Sequence, residues 1–272
     1  MSMVAGPALS NAMRWKPNEM ARYNDDLDPS ATYASLCRLA ATAQQTTTSR
    51  EIVMSEFIVH SIPGSPFGRA VLATLEEKGA RYRLSPVAPG TFRSPPHLAR
   101  HPFGRVPVLE HDDFSLYESQ AILRYLDRML PNPALTPVDS KRAARMDQAM
   151  NVNDWYLFQG VGNVIGFHRV VGPRLMGLTP DEAAVEAAMP QARAVFGELV
   201  RLLGEQHYFA GDAVSLADFL IAPQIGFLTQ TPEWSVLGAP HANLVAWLAR
   251  MEARPSLQAT TWERVSEMAK AS

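Results

Sequence analysis

Residues 101–126 read H-P-F-G-R-V-P-V-L-E-H-D-D-F-S-L-Y-E-S-Q-A-I-L-R-Y-L. Val106, Val108 and Leu109 form a short apolar run of strand character with Pro107 inside it. Proline cannot donate into a sheet ladder, so it belongs at an edge or at a special backbone geometry. His111-Asp112-Asp113 is a turn cluster, and Phe114 to Tyr117 reads as the returning strand of a tight hairpin. Glu118-Ser119 then opens a helix, because Ile122, Leu123, Tyr125 and Leu126 follow at helical spacing. Ser119 is a good N-cap, and a helix N-terminus suits a carboxylate. Two unusual features therefore meet at one end of a small sheet, which is how a pocket is made.

Upstream, Phe57 to His60 reads as a first strand and Arg81 to Ser85 as a second. Between them Ser65 is placed as an N-cap, with Pro66 at the first helical position, where it is favoured. Val71, Leu72 and Leu75 supply that helix with a core face, and Gly79 closes it. The stretch from Pro86 to Leu98 is proline-rich, with at most a short helix near His97. The order β-α-β-(α)-β-β-α predicts a thioredoxin-like α/β domain over 54–130, with two parallel strands joined by a helical crossover.

The prolines at 131, 133 and 137 make 131–138 a linker, and 139–272 reads as an all-helical domain. Trp155, Phe158 and Ile165 lie along one long segment loosened by Gly160, Gly162 and Gly166. A second helix is expected from about Pro180 to Leu203. Ser215-Leu216-Ala217-Asp218 is a capping box opening Phe219 to Leu228. Leu244 to Met251 forms another helix, closed by Arg254-Pro255-Ser256. Residues 1–53 differ from all of this: polar and proline-punctuated, with room for one short helix at Ala34 to Ala43, they read as a disordered extension or an over-called start.

A chain of 272 residues has length for two domains. Its net charge of −2 offers no basic field for nucleic acid or an anionic membrane. Cys37 is the lone cysteine, so no internal disulfide or Cys-x-x-Cys pair exists. With no apolar run long enough for a bilayer and no secretory leader, a cytoplasmic protein is expected. The histidines lack zinc-site spacing, so no metal is expected. There is no G-x-G-x-x-G, P-loop or G-x-S-x-G.

The combination N-P-x-G-x-V-P, a hairpin and E-S-x-A-I resembles the glutathione-binding half of the cytosolic glutathione transferases, departing only by His101 at the usual Asn. Ser65-x-x-x-Arg69-Ala70-Val71 resembles the serine-type branch, as in a phi- or theta-like bacterial member, and the capping box at Ser215 resembles that family's helical domain. The resemblance implies a cis Val106–Pro107 bond, a Val106 backbone that pairs with the cysteinyl part of glutathione, and Glu118 and Ser119 at its γ-glutamyl end. Ser65 would donate a hydrogen bond to the sulfur, and Arg69, one turn on, would add positive potential. The plainer alternatives are that Ser65 only caps its helix and that Arg69 is solvated, with Ser61 as the competing hydroxyl.

Where one serine-type branch carries His-Lys, this chain has Phe92-Arg93. Arg93 can still meet a glycine carboxylate, but Phe92 cannot hydrogen-bond. Arg105 stands where Gln is frequent and can fork onto a carboxylate or lie on the surface. An electrophile site would lie between the domains, walled by Phe67, Trp155, Tyr156 and Phe158, unless these aromatics are core. Phe103 occupies the position from which several classes insert an aromatic into a partner, so a homodimer is expected. The resemblance as a whole implies a transferase that adds the thiolate of glutathione, its co-substrate, to a small hydrophobic electrophile. The alternative is a non-enzymatic ligand-binding or protein-interaction module on the same fold.

Overall fold

In the computed structural model residues 56–272 are described; the extension expected over 1–53, with the short helix expected at Ala34 to Ala43, lies outside the described residues. Four strands, β1 (Phe57–Ser61), β2 (Tyr82–Pro86), β3 (Val108–His111) and β4 (Phe114–Tyr117), form one mixed sheet in the order β2-β1-β3-β4. β1 and β2 run parallel, with Phe57 opposite Tyr82, and β3 is antiparallel to both β1 and β4. A parallel pair needs a crossover, and α1 (Pro66–Glu77) supplies it. Its face of Val71, Leu72 and Leu75 is fully buried against the sheet side of the core. The expected thioredoxin-like order is present, with α2 (Pro95–Arg100) as the short helix near His97.

Three local readings are corrected. β3 begins at Val108 rather than Val106, because Pro107 has no N–H to give and the Val106–Pro107 peptide is cis. His111 pairs with Phe114 inside the ladder, which narrows the turn to Asp112-Asp113, with Asp112 at φ 55°. α3 (Ser119–Met129) is capped by Glu118, not by Ser119, which is its first helical residue.

Segment 131–138 leads to α4 (Ser140–Val152), whose cap Asp139 accepts from the Arg142 N–H. The long segment that follows, Asn153–Val171, is a π-helix rather than an α-helix, and runs into α5 (Gly172–Met176). α6 (Glu182–Leu203) starts two residues later than expected, because the Asp181 carboxylate caps it and Pro180 lies outside. α7 (Leu216–Leu228) is buried along almost its whole length. Its capping box forms as expected: Asp218 accepts from the Ser215 N–H and Oγ. The same carboxylate also takes the Phe209 N–H and the Trp247 indole N–H, so it ties three segments together.

α8 (Trp234–Leu237) and α9 (Ala242–Glu252) follow. Pro255 does not simply end α9; it opens α10 (Pro255–Gln258), and a last helix, α11 (Trp262–Ala271), was not anticipated. α1 packs on α7, so the sheet and the helices share one hydrophobic core. The described residues accordingly form a single compact unit.

Candidate active site

Ser65 sits at the N-terminus of α1 in extended conformation, and its Oγ accepts the Gly68 N–H at 3.0 Å. The cap uses an oxygen lone pair and leaves the hydroxyl proton available. Capping and donation to an anion are therefore compatible, and an oxygen that already accepts a hydrogen bond is the better donor. Gly64 before it has φ +81°, and a Cβ there would stand 2.5 Å from the Trp262 ring. Glycine is required by both conformation and space, and α11 thus braces the Ser65 turn. Ser61 is fully buried and lines neither cavity described below, and its Oγ lies 2.0 Å from where a Gly68 Cβ would project.

Arg69 does not point its charge at Ser65's oxygen. Its guanidinium forks onto Glu252, at 3.2 and 2.8 Å, and donates to the Leu257 carbonyl at 3.0 Å. The reading of Arg69 as free positive potential is corrected by this partner, which neutralises it and makes the side chain a strut between α1 and α9.

The end of the sheet holds a cavity of about 610 Å³, lined by Val106, Pro107, Glu118 and Ser119 together with Gln120 and Asp154. Ser119 is buried at the first turn of α3, whose free N–H groups and dipole favour an anion. Glu118 holds φ 71° and ψ 113°, a backbone conformation that costs an L-residue about 1–3 kcal/mol. Gly104 fixes the facing loop: its φ is +61°, and a Cβ would meet the Phe92 carbonyl at 2.6 Å. Arg93, Phe103, Arg105 and Glu118 border an adjoining hollow of about 380 Å³. Among the described residues neither Arg93 nor Arg105 forms an ion pair, so two guanidiniums are available beside it.

The second cavity, about 450 Å³, is lined by Ser65 and walled by Phe67, Phe92, Phe158 and Phe227. It shares Phe67, Arg105, Val106, Phe158 and Gln159 with the first. Phe67 and Phe158 meet edge to face at 4.7 Å. Trp155 is 68 % exposed and borders the first cavity only. Tyr156 is 55 % exposed and borders neither, which corrects its placement as a wall: one residue further around the helix its ring points away. Phe103 is 61 % exposed, edge-on to His101 and Tyr117.

Four site residues escaped the sequence reading. Asp154 accepts from Gln120 at 2.7 Å and from Asn153 at 2.9 Å. Burial pushes its carboxyl above the usual range against those two donors, and Glu118 adds to the rise. His101 is 3 % exposed in the first cavity wall, where burial and then the neighbouring His97 and Arg105 lower its pKa and favour the neutral ring. Gln224 lines the second cavity. Trp262 has no motif at all; only its contact with Gly64 reveals it. Among the described residues there is no group of three or more His, Cys, Asp or Glu side chains that could hold a metal ion. No helix among them is long and apolar enough to cross a membrane.

Residues 55–128 match the family model for the glutathione S-transferase N-terminal domain, and residues 163–255 match that for the C-terminal domain. The probable glutathione S-transferase GSTF2 of Oryza sativa subsp. japonica is 36 % identical over 190 residues, covering 69 % of this chain and 87 % of that protein. The crystal structure of glutathione transferase F7 from Populus trichocarpa superposes with a TM-score of 0.68 at 28 % identity, covering 78 % of this chain and 99 % of that one. Glutathione S-transferase I from maize, in complex with an atrazine glutathione conjugate, gives 0.67 at 30 % identity, covering 80 % and 100 %. These relatives are plant proteins and lend the expected bacterial source no support. The two matched domains and this identity over most of a full-length relative settle the kinship: the chain belongs to the glutathione S-transferase family.

Proposed function

We propose that this transferase holds glutathione in the cavity at the end of the sheet and adds its sulfur to a small hydrophobic electrophile seated in the aromatic cavity beyond Ser65. One observation carries the reading. The two cavities share Phe67, Arg105, Val106, Phe158 and Gln159, and Ser65 lines the second. A free thiol ionises near pH 8.5, and a helix N-terminus with a hydroxyl donor lowers that value. The proton leaves to solvent, Ser65 donates to the thiolate, and the sulfur bonds to a carbon held next to it as that carbon's leaving group departs with its electron pair or, in an addition, as its π pair moves to the neighbouring atom and is protonated by solvent, with proximity supplying much of the rate.

The γ-glutamyl carboxylate would rest on the first turn of α3 at Ser119, with Glu118 taking the amine. Arg93 and Arg105 would receive the glycine carboxylate in place of the hydrogen bond that Phe92 cannot make. The maize relative's bound conjugate supports the two-compartment arrangement. Ser65 in place of another hydroxyl or thiol supports the serine-type reading. Phe103, apolar and exposed, would insert into a second copy, giving a homodimer.

The test is the pH dependence of conjugation, with thiolate absorbance of the bound complex, in wild type and Ser65→Ala. The variant loses an N-cap worth about 0.5–2 kcal/mol, so a thermal melt establishes first that it is folded. The expected result is a raised pKa of bound glutathione and a loss in kcat larger than the loss in affinity. An unchanged pKa and rate in the folded variant would leave Ser65 as a cap alone. Glutathione binding without turnover in the wild type would favour the binding-module reading.

A further inference from the structure

A third cavity, of about 400 Å³, is lined by Ile62, Gly64, Ser65 and Phe227, four residues that also line the aromatic cavity. To these it adds Trp262, the first residue of α11, which lines neither of the other two cavities. Three contacts fix that half-buried ring. It meets Phe227 edge to face at 5.7 Å, and the Arg174 guanidinium stands over it at 4.1 Å, held in turn by Glu263 at 3.0 Å. The remaining contact is Gly64. A Cβ there would stand 2.5 Å from two of the ring carbons and 2.8 Å from a third.

Gly64 is the corner of the turn that presents Ser65. The Ser65 N–H donates to the Ile62 carbonyl at 3.2 Å, with Pro63 and Gly64 between them and Gly64 at φ 81°, as a type II turn requires. Proline is rigid in φ, whereas glycine turns more freely than any other residue. The peptide that leads into Ser65 is therefore hinged at Gly64, beside a cavity with room for it to move. The indole takes up that room. The charged residues lining this cavity are paired, Arg69 with Glu252 at 2.8 Å and Arg174 with Glu263 at 3.0 Å, so the ring acts on the turn by shape and not by charge.

We propose that Trp262 is a positioning residue for the transfer reaction, its ring holding the Gly64 turn so that the Ser65 hydroxyl stays aimed at the sulfur of glutathione. The proposal rests on the reading of Ser65 as donor to the thiolate and adds the group that keeps it in place. The cap to Gly68 holds Oγ to the start of α1. The turn sets where that start stands against the cavities, and Trp262 sets the turn. A hydrogen bond weakens steeply with misalignment, so a small swing at Gly64 costs the thiolate its donor while leaving the bound peptide's other contacts intact.

The experiment compares Trp262→Ala, Trp262→Phe, Ser65→Ala and the double variant Trp262→Ala/Ser65→Ala with wild type, all in the full chain. Thiolate absorbance gives the pKa of bound glutathione, and benzyl chloride serves as electrophile for kcat and KM. Trp262→Ala is expected to raise that pKa by about 0.5–1 and to lower kcat roughly three- to tenfold below it, because less thiolate is present. Glutathione affinity at such pH should stay in place, since the ring lines neither of the other cavities. Trp262→Phe keeps a ring against Gly64 and should restore most of the change. In the Ser65→Ala background Trp262→Ala should move the pKa no further, because the donor it places is gone. A merely structural role would instead lower the melting temperature equally in both backgrounds and leave the pKa alone. An unmoved pKa in Trp262→Ala while Ser65→Ala raises it, or an equal rise in both backgrounds, overturns the proposal and leaves the Ser65 reading standing. An unmoved pKa in Ser65→Ala overturns both. Trp262→Leu, which keeps more of the packing volume, carries the same comparison if the alanine variant does not fold.

Discussion

The guanidinium of Arg69 is forked onto the carboxylate of Glu252, 183 residues further along the chain. It joins the helix that carries Ser65 at its start to the helical half that closes the second cavity. The position one turn into α1 would serve equally to bias the sulfur or to brace the helix. The fork and the added bond to the Leu257 carbonyl assign it the second task.

Arg69→Ala is therefore expected to lower thermal stability without moving the pKa of bound glutathione. Losing bonds to a charged group costs about 1.5–3 kcal/mol, and half of this pair is more than a third exposed, which reduces the figure. A Tm drop of roughly 2–6 °C follows for a chain of this size. Calorimetry and the thiolate titration decide the point. A raised thiolate pKa with an unchanged Tm would return Arg69 to the chemistry.

A second long-range pair secures the other end of α1. The Lys78 ammonium is fully buried and donates to Asp127 at 2.6 Å and to the Leu130 carbonyl at 2.7 Å, beside a third bond to Pro133. Burial alone would raise the Asp127 carboxyl, but the hydrogen bond from Lys78 and those from Thr136 and the Leu135 N–H outweigh it and hold the group below its ordinary value of 3.8. A depressed folded-state pKa means the pair's contribution is complete above that value and is lost as pH falls through the lower one. Asp127→Asn is expected to cost about 3–5 kcal/mol at neutral pH, because the lysine stays buried without its counter-charge. The stability gap between variant and wild type should narrow below about pH 4. Denaturant titrations at neutral and acid pH check both statements; a gap that does not depend on pH would show that Asp127 acts by shape alone.

What could be read in the sequence was what is settled locally. Ser65 and Pro66 fix the start of α1 within one turn, Pro107 and the Asp112-Asp113 turn fix the hairpin, and Ser215 with Asp218 fixes the start of α7. The misreadings were decided from a distance. Arg69's partner and the Trp262 ring behind Gly64 come from the last helices, whose packing leaves no trace at residues 64–69. Asn153–Val171 is π-helical, and Gln191 and Gln224 stand where a Cβ on Gly160 or Gly162 would project. On that helix Tyr156 is exposed while Phe158 lines both cavities. Gln224 carries no spacing signal either, because a lone glutamine in an apolar helix is unusual only once its cavity is seen.

Phe103 offers a test of assembly. Its ring is well exposed, although the loop holding it is fixed by Gly104 against Phe92. An apolar side chain held rigidly outward suits insertion into a partner at little entropic cost. Phe103→Ala is expected to shift the sedimentation profile from dimer toward monomer at micromolar concentration, with the monomer still folded. Identical profiles for both proteins would remove Phe103 from any interface.

The last prediction concerns Glu118, where backbone and ligand make opposite demands. With φ 71°, its Cβ is strained, yet the side chain borders the cavity in which the γ-glutamyl end of glutathione is placed. At an ordinary position glycine is less stable than alanine by about 0.5–1 kcal/mol, because the unfolded chain gains freedom. At Glu118 that order should invert, since alanine keeps the strained Cβ and glycine removes it. Glu118→Gly is thus expected to melt above Glu118→Ala. Both should bind glutathione roughly ten- to a hundredfold more weakly than wild type, the loss of one charge-assisted hydrogen bond. Calorimetric titration and thermal melts of the three proteins separate the two effects. Alanine more stable than glycine would show that the Cβ is not strained. Unchanged affinity in both variants would show that the strain is not held for the ligand.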